Sequence, residues 1–398
     1  MLKQLSIYIH YPFCESKCPY CDFNSHVENF IDHQAFLKAY CRELEYFASR
    51  IGKRKITSIF FGGGTPSLMP IFLLAGILEK ISELFMVDDD CEISLEANPS
   101  SSESKKFKEF KNLGINRLSL GIQALNDDDL KFLGRKHNAD EAIKAINLAQ
   151  ENFTNFSFDL IYARPKQTIL DWSKELKKAI EFSTKHLSLY QLTIEKGTQF
   201  FSDFNQQKFI MPDENLASEF YEITNQIMIG KGFEHYEVSN YAQKNYQSRH
   251  NLAYWLSYEY IGIGAGAHSR ICFENKNENK GNFNPRNAIM MIHHPQAWLQ
   301  KVLQHGNGIQ TLQIVENREL IEEIILMGLR LKEGIKIKKI EEIIGKKFNE
   351  IFDLEKLKKL QDQNFLIIDE EKIVIPQNKW LIMNSIISKV IDAINLIN

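Results

Sequence analysis

The segment HYPFCESKCPYCDFNSH, residues 10–26, decides how the rest of the chain is read. It continues an alternating β-type run, LSIYIH at 5–10, and sets Cys14, Cys18 and Cys21 in a C-x3-C-x2-C spacing directly after that strand. Three thiolates on one loop can face one metal centre. A cysteine-held [4Fe-4S] cluster normally takes four thiolates, so three leave one iron open to an outside ligand, and an amino acid's amine and carboxylate can chelate it. A zinc site would need a fourth ligand such as His10 or His26, but structural zinc sites usually join separated ligand pairs. Three of the six cysteines fall within eight positions of a 398-residue chain, which points to metal chemistry in a reducing compartment and away from a disulfide scaffold.

Outward from this loop, short β-branched or aromatic runs recur at 5–10, 57–61, 92–96, 117–121, 156–161 and 185–191, with stretches between them long enough for amphipathic helices. Phe30 to Arg50 carries apolar residues near helical spacing, and Ser104 to Leu113 ends at Gly114, a residue suited to a helix C-terminus. Such a six-fold β-then-α rhythm predicts an α/β fold, a parallel sheet with helices outside. In a barrel of this type functional groups gather at the C-terminal ends of the strands. His10, the glycines after Phe61, Glu96, Gln123 and Asp159 stand at such ends.

Alternation fades around 200–214, before a helix expected from Leu216 to Gly230, and an Asn- and Lys-rich loop is expected from Phe273 to Asn287. After Leu312 three helices (317–331, 336–345, 352–361), a hairpin (365–368 with 372–375) and a closing helix from Asn378 suggest a small winged-helix-like domain. The expected division is a barrel at 1–235, a linking region at 236–311 and the C-terminal domain at 312–398. Lys plus Arg at 48 against Asp plus Glu at 51 leaves no global basic field, so no nucleic-acid partner is expected. The N-terminus shows no secretory pattern and no run of about 18 apolar residues predicts a membrane span; with the reducing compartment that the cysteines suggest, the expected location is the cytoplasm.

Beyond the triad, YIHYPFC, FFGGGTPS, LEANPS, LSLGIQ, GRKH, FDLIYARPKQT, YQLTIEKGT and RHNLAYW occur in order along nearly the whole chain. In these motifs the sequence resembles the radical S-adenosylmethionine (SAM) superfamily, specifically its branch of oxygen-independent coproporphyrinogen III oxidase-like proteins that includes the bacterial haem chaperone. The resemblance implies a partial (β/α)6 TIM-like barrel carrying a [4Fe-4S] cluster and SAM, followed by a C-terminal domain of the coproporphyrinogen-oxidase type. It assigns Cys14, Cys18 and Cys21 to the cluster and sets Tyr8 near SAM. It also places Gly63, Gly64 and Thr65 on the methionine part, and Glu96, Gln123, Arg135 and Asp159 around the rest of the molecule. The glycines can be argued separately: lacking Cβ atoms, they let the backbone approach a ligand closely. The chemistry so implied is one-electron reduction of the sulfonium to methionine and a 5′-deoxyadenosyl radical.

Two departures separate the branches. The porphyrinogen-oxidising members carry C-x3-C-x2-C-x-C, whereas Phe23 holds the last place here, and this sequence starts near the first strand without their longer N-terminal extension. RHNLAYW supplies His250, Asn251, Tyr254 and Trp255, matching the H-N-x-x-Y-W element of the haem chaperone branch. Histidine is a good axial iron ligand, and the two aromatics can flank a porphyrin; a packed loop with a hydrogen-bonded His250 is the alternative. The expected cargo is haem, passed to haem-accepting apoproteins, with transient docking on membrane respiratory enzymes left open. Porphyrinogen decarboxylation and radical modification of RNA are the alternative activities.

Overall fold

The computed structural model describes residues 3–274 and 285–395. Six strands alternate with helices over the first half of the chain: β1 (Gln4–Tyr11), β2 (Lys55–Gly63), β3 (Met86–Ala97), β4 (Arg117–Gln123), β5 (Asn155–Tyr162) and β6 (His186–Gln191). They lie side by side in chain order and all pair in parallel, with Ile9 opposite Phe61, Phe61 opposite Leu95 and Phe158 opposite Leu187. These aliphatic and aromatic positions are buried, as a parallel sheet covered by helices requires.

The covering helices are held by local signals. His33–Ile51 starts at Asp32, whose carboxylate accepts from the Ala35 N–H, and stops at Gly52 with φ +64°. Ala139–Asn152 opens with a capping box between Asn138 and Glu141. The stretch expected as one helix at 104–113 is instead two short pieces, Ser101–Ser104 and Phe107–Asn112, with Gly114 at φ +96° beyond them.

Six further strands extend this sheet: β7 (Glu234–Glu237), β8 (Asn240–Ala242), β9 (Tyr260–Ile263), β10 (His268–Cys272), β11 (Arg286–Met291) and β12 (Ile309–Ile314). The hydrogen-bonded order is β12-β11-β10-β9-β1-β2-β3-β4-β5-β6-β8-β7. Strand β9 runs parallel to β1, and β10 to β12 form an antiparallel meander beyond it. Residues read from sequence as a linking region therefore build both flanks of the barrel sheet, and Ile261, Ile289 and Trp298 join its core. Of the loop expected at 273–287, residues 275–284 lie outside the described residues, and Arg286 and Asn287 already belong to β11.

One buried carboxylate ties the meander down. Glu43, on helix His33–Ile51, accepts from the backbone N–H of Gly264 (2.9 Å), the N–H of Gly308 (2.7 Å) and the indole N–H of Trp298 (3.1 Å). Gly264 has φ +109°, and a Cβ there would lie 2.5 Å from the His10 carbonyl oxygen, so only glycine fits this turn beside β1.

Beyond β12 the chain has a separate core, built on Ile321, Ile325, Ile340, Leu357, Trp380 and Ile387. Helices Asn317–Gly328, Ile337–Ile344, Leu354–Asp362 and Met383–Ile391 surround a three-stranded sheet in which Ile335–Lys336 joins the expected hairpin. The two parts meet through Arg270 on β10, paired with Glu323 at 2.7 Å, and through the Trp380 ring edge on His235 at 4.6 Å.

Candidate cluster and cofactor site

The strand ends do converge. Cys14, Cys18 and Cys21 follow β1 and line one cavity of about 180 Å³ together with Gly63, Gly64, Thr65, Glu96, Gln123, Arg135 and Asp159. Ten of the residues singled out in the sequence thus meet at the C-terminal ends of β1 to β5. Tyr8 does not line this cavity but the adjoining larger one, which shares Gly63, Glu96 and Phe23 with it.

A chain of hydrogen bonds connects two of the thiols. Thr65 Oγ1 donates to Cys14 Sγ at 3.4 Å, Asn98 Nδ2 donates to Thr65 Oγ1 at 3.2 Å, and Arg135 Nη2 donates to Asn98 Oδ1 at 2.6 Å. Arg135 Nη1 completes it by donating to Cys18 Sγ at 3.3 Å, while Nη2 also meets the Gly121 carbonyl at 2.8 Å. Burial holds the Cys14 thiol above its ordinary pKa, and the Thr65 hydrogen bond works against that rise, toward the thiolate that ligates metal. Asn98 was not singled out, although it stands in the LEANPS motif. Its backbone N–H donates to Glu103 at 3.1 Å, and Glu103 also receives the Ser67 hydroxyl, so one buried carboxylate holds both the turn after Thr65 and the loop after β3.

The donor set suits a cluster with an exchangeable ligand. Three free thiols face the cavity, and His137, the histidine on its wall, is turned to the Ile122 carbonyl at 3.2 Å. His10 and His26, the candidate fourth zinc ligands, are turned to Asn24 instead: His10 Nε2 to its carbonyl at 2.9 Å, His26 Nε2 to its side chain at 3.0 Å. Among the described residues no three or more His, Cys, Asp or Glu side chains are grouped as a site for one metal ion.

Arg135 Nε is buried without a hydrogen-bond partner among the described residues, an orphan donor on the cavity wall. Gln123 has φ +73°, a conformation unusual for a side chain larger than glycine and typical of residues held for a task. Gly64 N–H reaches the Tyr11 carbonyl at 2.8 Å, and a Cβ on Gly64 would lie 2.6 Å from the Phe13 carbonyl oxygen. Gly64→Ala must therefore push back the backbone that precedes Cys14. We expect this variant to fold yet lose most of its iron on reconstitution; full cluster occupancy would contradict the assigned close approach.

Two carboxylates share the far wall. Glu96 accepts from the Gly63 N–H at 3.2 Å. Removal from water, reinforced by Asp159, pushes its pKa up to about 8. Asp159 is itself raised to about 6 by burial, partly offset by Ser188, Arg135 and Arg117. Both are raised, so their contribution to the ligand-free fold is full below the ordinary carboxylate range and is lost as pH rises through about 6 to 8. A cation bound between them reverses the preference. SAM affinity is therefore expected to strengthen from about pH 6 to 8, with proton release detected by calorimetry in buffers of different ionisation enthalpy, and Glu96→Gln should flatten the slope. An affinity independent of pH would rule this coupling out.

The RHNLAYW motif is a short helix, Arg249–Trp255, rather than a loop. Glu92 of β3 anchors its start, accepting from the N–H groups of Arg249 (3.2 Å) and His250 (3.1 Å). Asn251, Tyr254 and Trp255 line the larger cavity, about 840 Å³, with Tyr8, His10, His268, His293 and, from the C-terminal domain, Met327 and Arg330. His250 is placed differently from an open ligand. It is buried at 1% exposure, its Nδ1 meets Ser58 Oγ at 3.0 Å, its Nε2 meets Tyr254 Oη at 2.9 Å, and its ring stacks on Phe60. Both nitrogens are thus committed inside the protein. Phe23, where the oxidising members carry cysteine, is 62% exposed and borders both cavities.

A fold of parallel strands with a three-thiol loop after the first and a glycine-threonine cradle after the second defines a radical SAM protein, and sequence comparison agrees. The radical SAM superfamily profile matches residues 8–179, and that of the HemN C-terminal domain matches residues 315–382. The chain is 32% identical to radical S-adenosyl methionine domain-containing protein 1, mitochondrial, of Danio rerio, over 98% of this chain and 87% of that protein. It is 38% identical to heme chaperone HemW of Escherichia coli, over 84% of each chain. Its fold superposes on the structure of the Escherichia coli coproporphyrinogen III oxidase HemN with a TM-score of 0.79, covering 98% of this chain and 90% of that one at 22% identity. The chain belongs to the radical SAM superfamily, within its coproporphyrinogen III oxidase-like family and the branch whose bacterial members are named heme chaperone HemW.

Proposed function

We propose that this protein is a haem chaperone that holds a [4Fe-4S] cluster and SAM in the smaller cavity, takes up haem in the larger one and delivers it to haem-accepting apoproteins. The observation that carries this reading is the adjacency of the two cavities, which share Phe23, Gly63 and Glu96 in their walls, with Asn251, Tyr254 and Trp255 lining the larger one. Similarity to the Escherichia coli heme chaperone supports the cargo. When bound, the cluster and SAM supply one-electron reduction of a sulfonium. The chain's own residues bind and orient: the three thiols hold iron, Thr65 and Arg135 donate to sulfur, the Gly63–Gly64 backbone seats the ligand, and Glu96 and Asp159 receive positive charge.

Tyr254 and Trp255 present aromatic surface to a flat apolar cargo. A reducing compartment suits the six free cysteines, and we place the protein in the cytoplasm. No helix among the described residues is long and apolar enough to cross a membrane; delivery to respiratory enzymes would be by transient contact, and nucleic acid is not a partner in this scheme.

The test is an anaerobic haem titration of the reconstituted protein, followed by transfer to an apoprotein acceptor. Stoichiometric binding and transfer are expected. Failure to bind haem, together with decarboxylation of coproporphyrinogen III under reducing conditions, would replace this reading by the oxidase one.

A further inference from the structure

Two histidines on the rim of the larger cavity have no role so far. His268, on β10, and His293, before helix Pro295–His305, both line it, both are solvent-exposed, and neither ring makes a hydrogen bond among the described residues. The other histidine lining it, His10, is buried with both nitrogens engaged, Nδ1 on Tyr8 Oη at 3.0 Å and Nε2 on the Asn24 carbonyl at 2.9 Å. His250, behind the wall, is engaged in the same way.

Resting on the haem-chaperone reading above, we propose that His268 is the axial ligand of the haem iron, and that Arg330 on the C-terminal domain receives a propionate. Three observations support His268. First, an imidazole must offer a free nitrogen to bind iron, and freeing one in His250 or His10 would leave a buried polar partner unsatisfied. Second, β10 is held on both sides: His268 pairs with Met290 on β11, and Arg270, two residues on, is locked to Glu323 at 2.7 Å. The strand thus fixes His268 relative to the C-terminal domain, whereas His293 lies in a connection outside the strands. Third, partial loss of water around the exposed ring, together with the charges of Arg270 and His293, lowers the His268 pKa, favouring the neutral, ligating imidazole.

Arg330 completes the fit. Its Nε donates to the Leu326 carbonyl at 3.2 Å and its Nη2 to Asn384 at 3.1 Å, which leaves Nη1 without a hydrogen bond among the described residues, in a cavity wall that also carries the Glu237 carboxyl. The cavity, about 840 Å³, is within the range of about 300–1,000 Å³ usual for ligand sites. A ligand at an exposed rim also suits a carrier, because the acceptor's own ligand can reach the iron for exchange.

The experiment titrates full-length reconstituted protein with ferric haem, following the Soret band and the iron spin state by electron paramagnetic resonance. Wild type is compared with His268→Ala, His293→Ala, His250→Ala and Arg330→Ala, each checked for folding by circular dichroism. His268→Ala is expected to weaken haem about tenfold or more and to change the spin state, with added imidazole restoring the wild-type spectrum. Arg330→Ala is expected to weaken binding with the ligand spectrum unchanged. A wild-type spectrum in His268→Ala overturns the ligand assignment while leaving the haem-chaperone reading standing. So does a spectrum lost in folded His293→Ala or His250→Ala and rescued there by imidazole. Absence of haem binding by the wild type overturns both.

Discussion

Replacing any one of Cys14, Cys18 or Cys21 by alanine is expected to give a folded protein that no longer assembles a [4Fe-4S] cluster and no longer binds SAM tightly. Each thiol lies part-buried on a loop after β1 and contributes little to either main core, so stability should change little. Iron content and visible absorbance after anaerobic reconstitution measure the effect, and Cys41→Ala, whose thiol is on helix His33–Ile51 and outside the cavity, serves as the control. The supporting network should show a graded loss: Asn98→Ala breaks the link between Thr65 and Arg135 and is expected to cost about 10–100-fold in cluster affinity, as removal of outer partners of a metal site typically does. Retention of a full cluster by a single cysteine variant would show that the triad is not the ligand set.

The largest stability effect is expected far from the cofactors, at Glu43. Glu43→Ala leaves the Gly264 and Gly308 N–H groups and the Trp298 indole N–H without acceptors in a buried site. At about 1–3 kcal/mol for each stranded donor, less any relaxation, the loss should be about 3–5 kcal/mol, seen as a lowered midpoint in urea. The pKa of Glu43 is raised to about 7, because burial outweighs the three hydrogen bonds that favour its charge. Its contribution is therefore full below the ordinary carboxylate range and falls as pH climbs through about 7, so the gap between wild type and variant should be wider at pH 5 than at pH 8. A change below about 1 kcal/mol would mean that Glu43 does not pin the meander.

Much of the barrel half was legible because its signals are local. All six runs read as parallel strands are β1 to β6, since each is a short β-branched or aromatic stretch bounded by turns. The cavity residues were legible for a different reason: strand ends meet only after folding, but ordered motifs single out the same positions in the chain. What escaped the reading depends on distant partners. Strand β9 contains Gly262 and runs straight into Gly264 and Gly266, and it is a strand because β1 offers it an edge, not because Tyr260–Ile263 has a strong pattern of its own. Helix Arg249–Trp255 is two turns long and is anchored by Glu92, more than 150 residues earlier in the chain. For the same reason the sequence leaves His250 open between an iron ligand and a hydrogen-bonded packed residue; only the fold brings Ser58 and Tyr254 to its two nitrogens.

The claim on which the rest depends is that one iron of the cluster is left by the protein for SAM. Electron–nuclear double resonance on the reduced, reconstituted protein, with SAM isotopically labelled at its amine and carboxylate, addresses it directly. Coupling of both labelled groups to a single cluster iron is the predicted result. A fully formed cluster with no coupling to SAM, a fourth protein ligand on that iron, or a lone zinc ion held by the three thiols would contradict it.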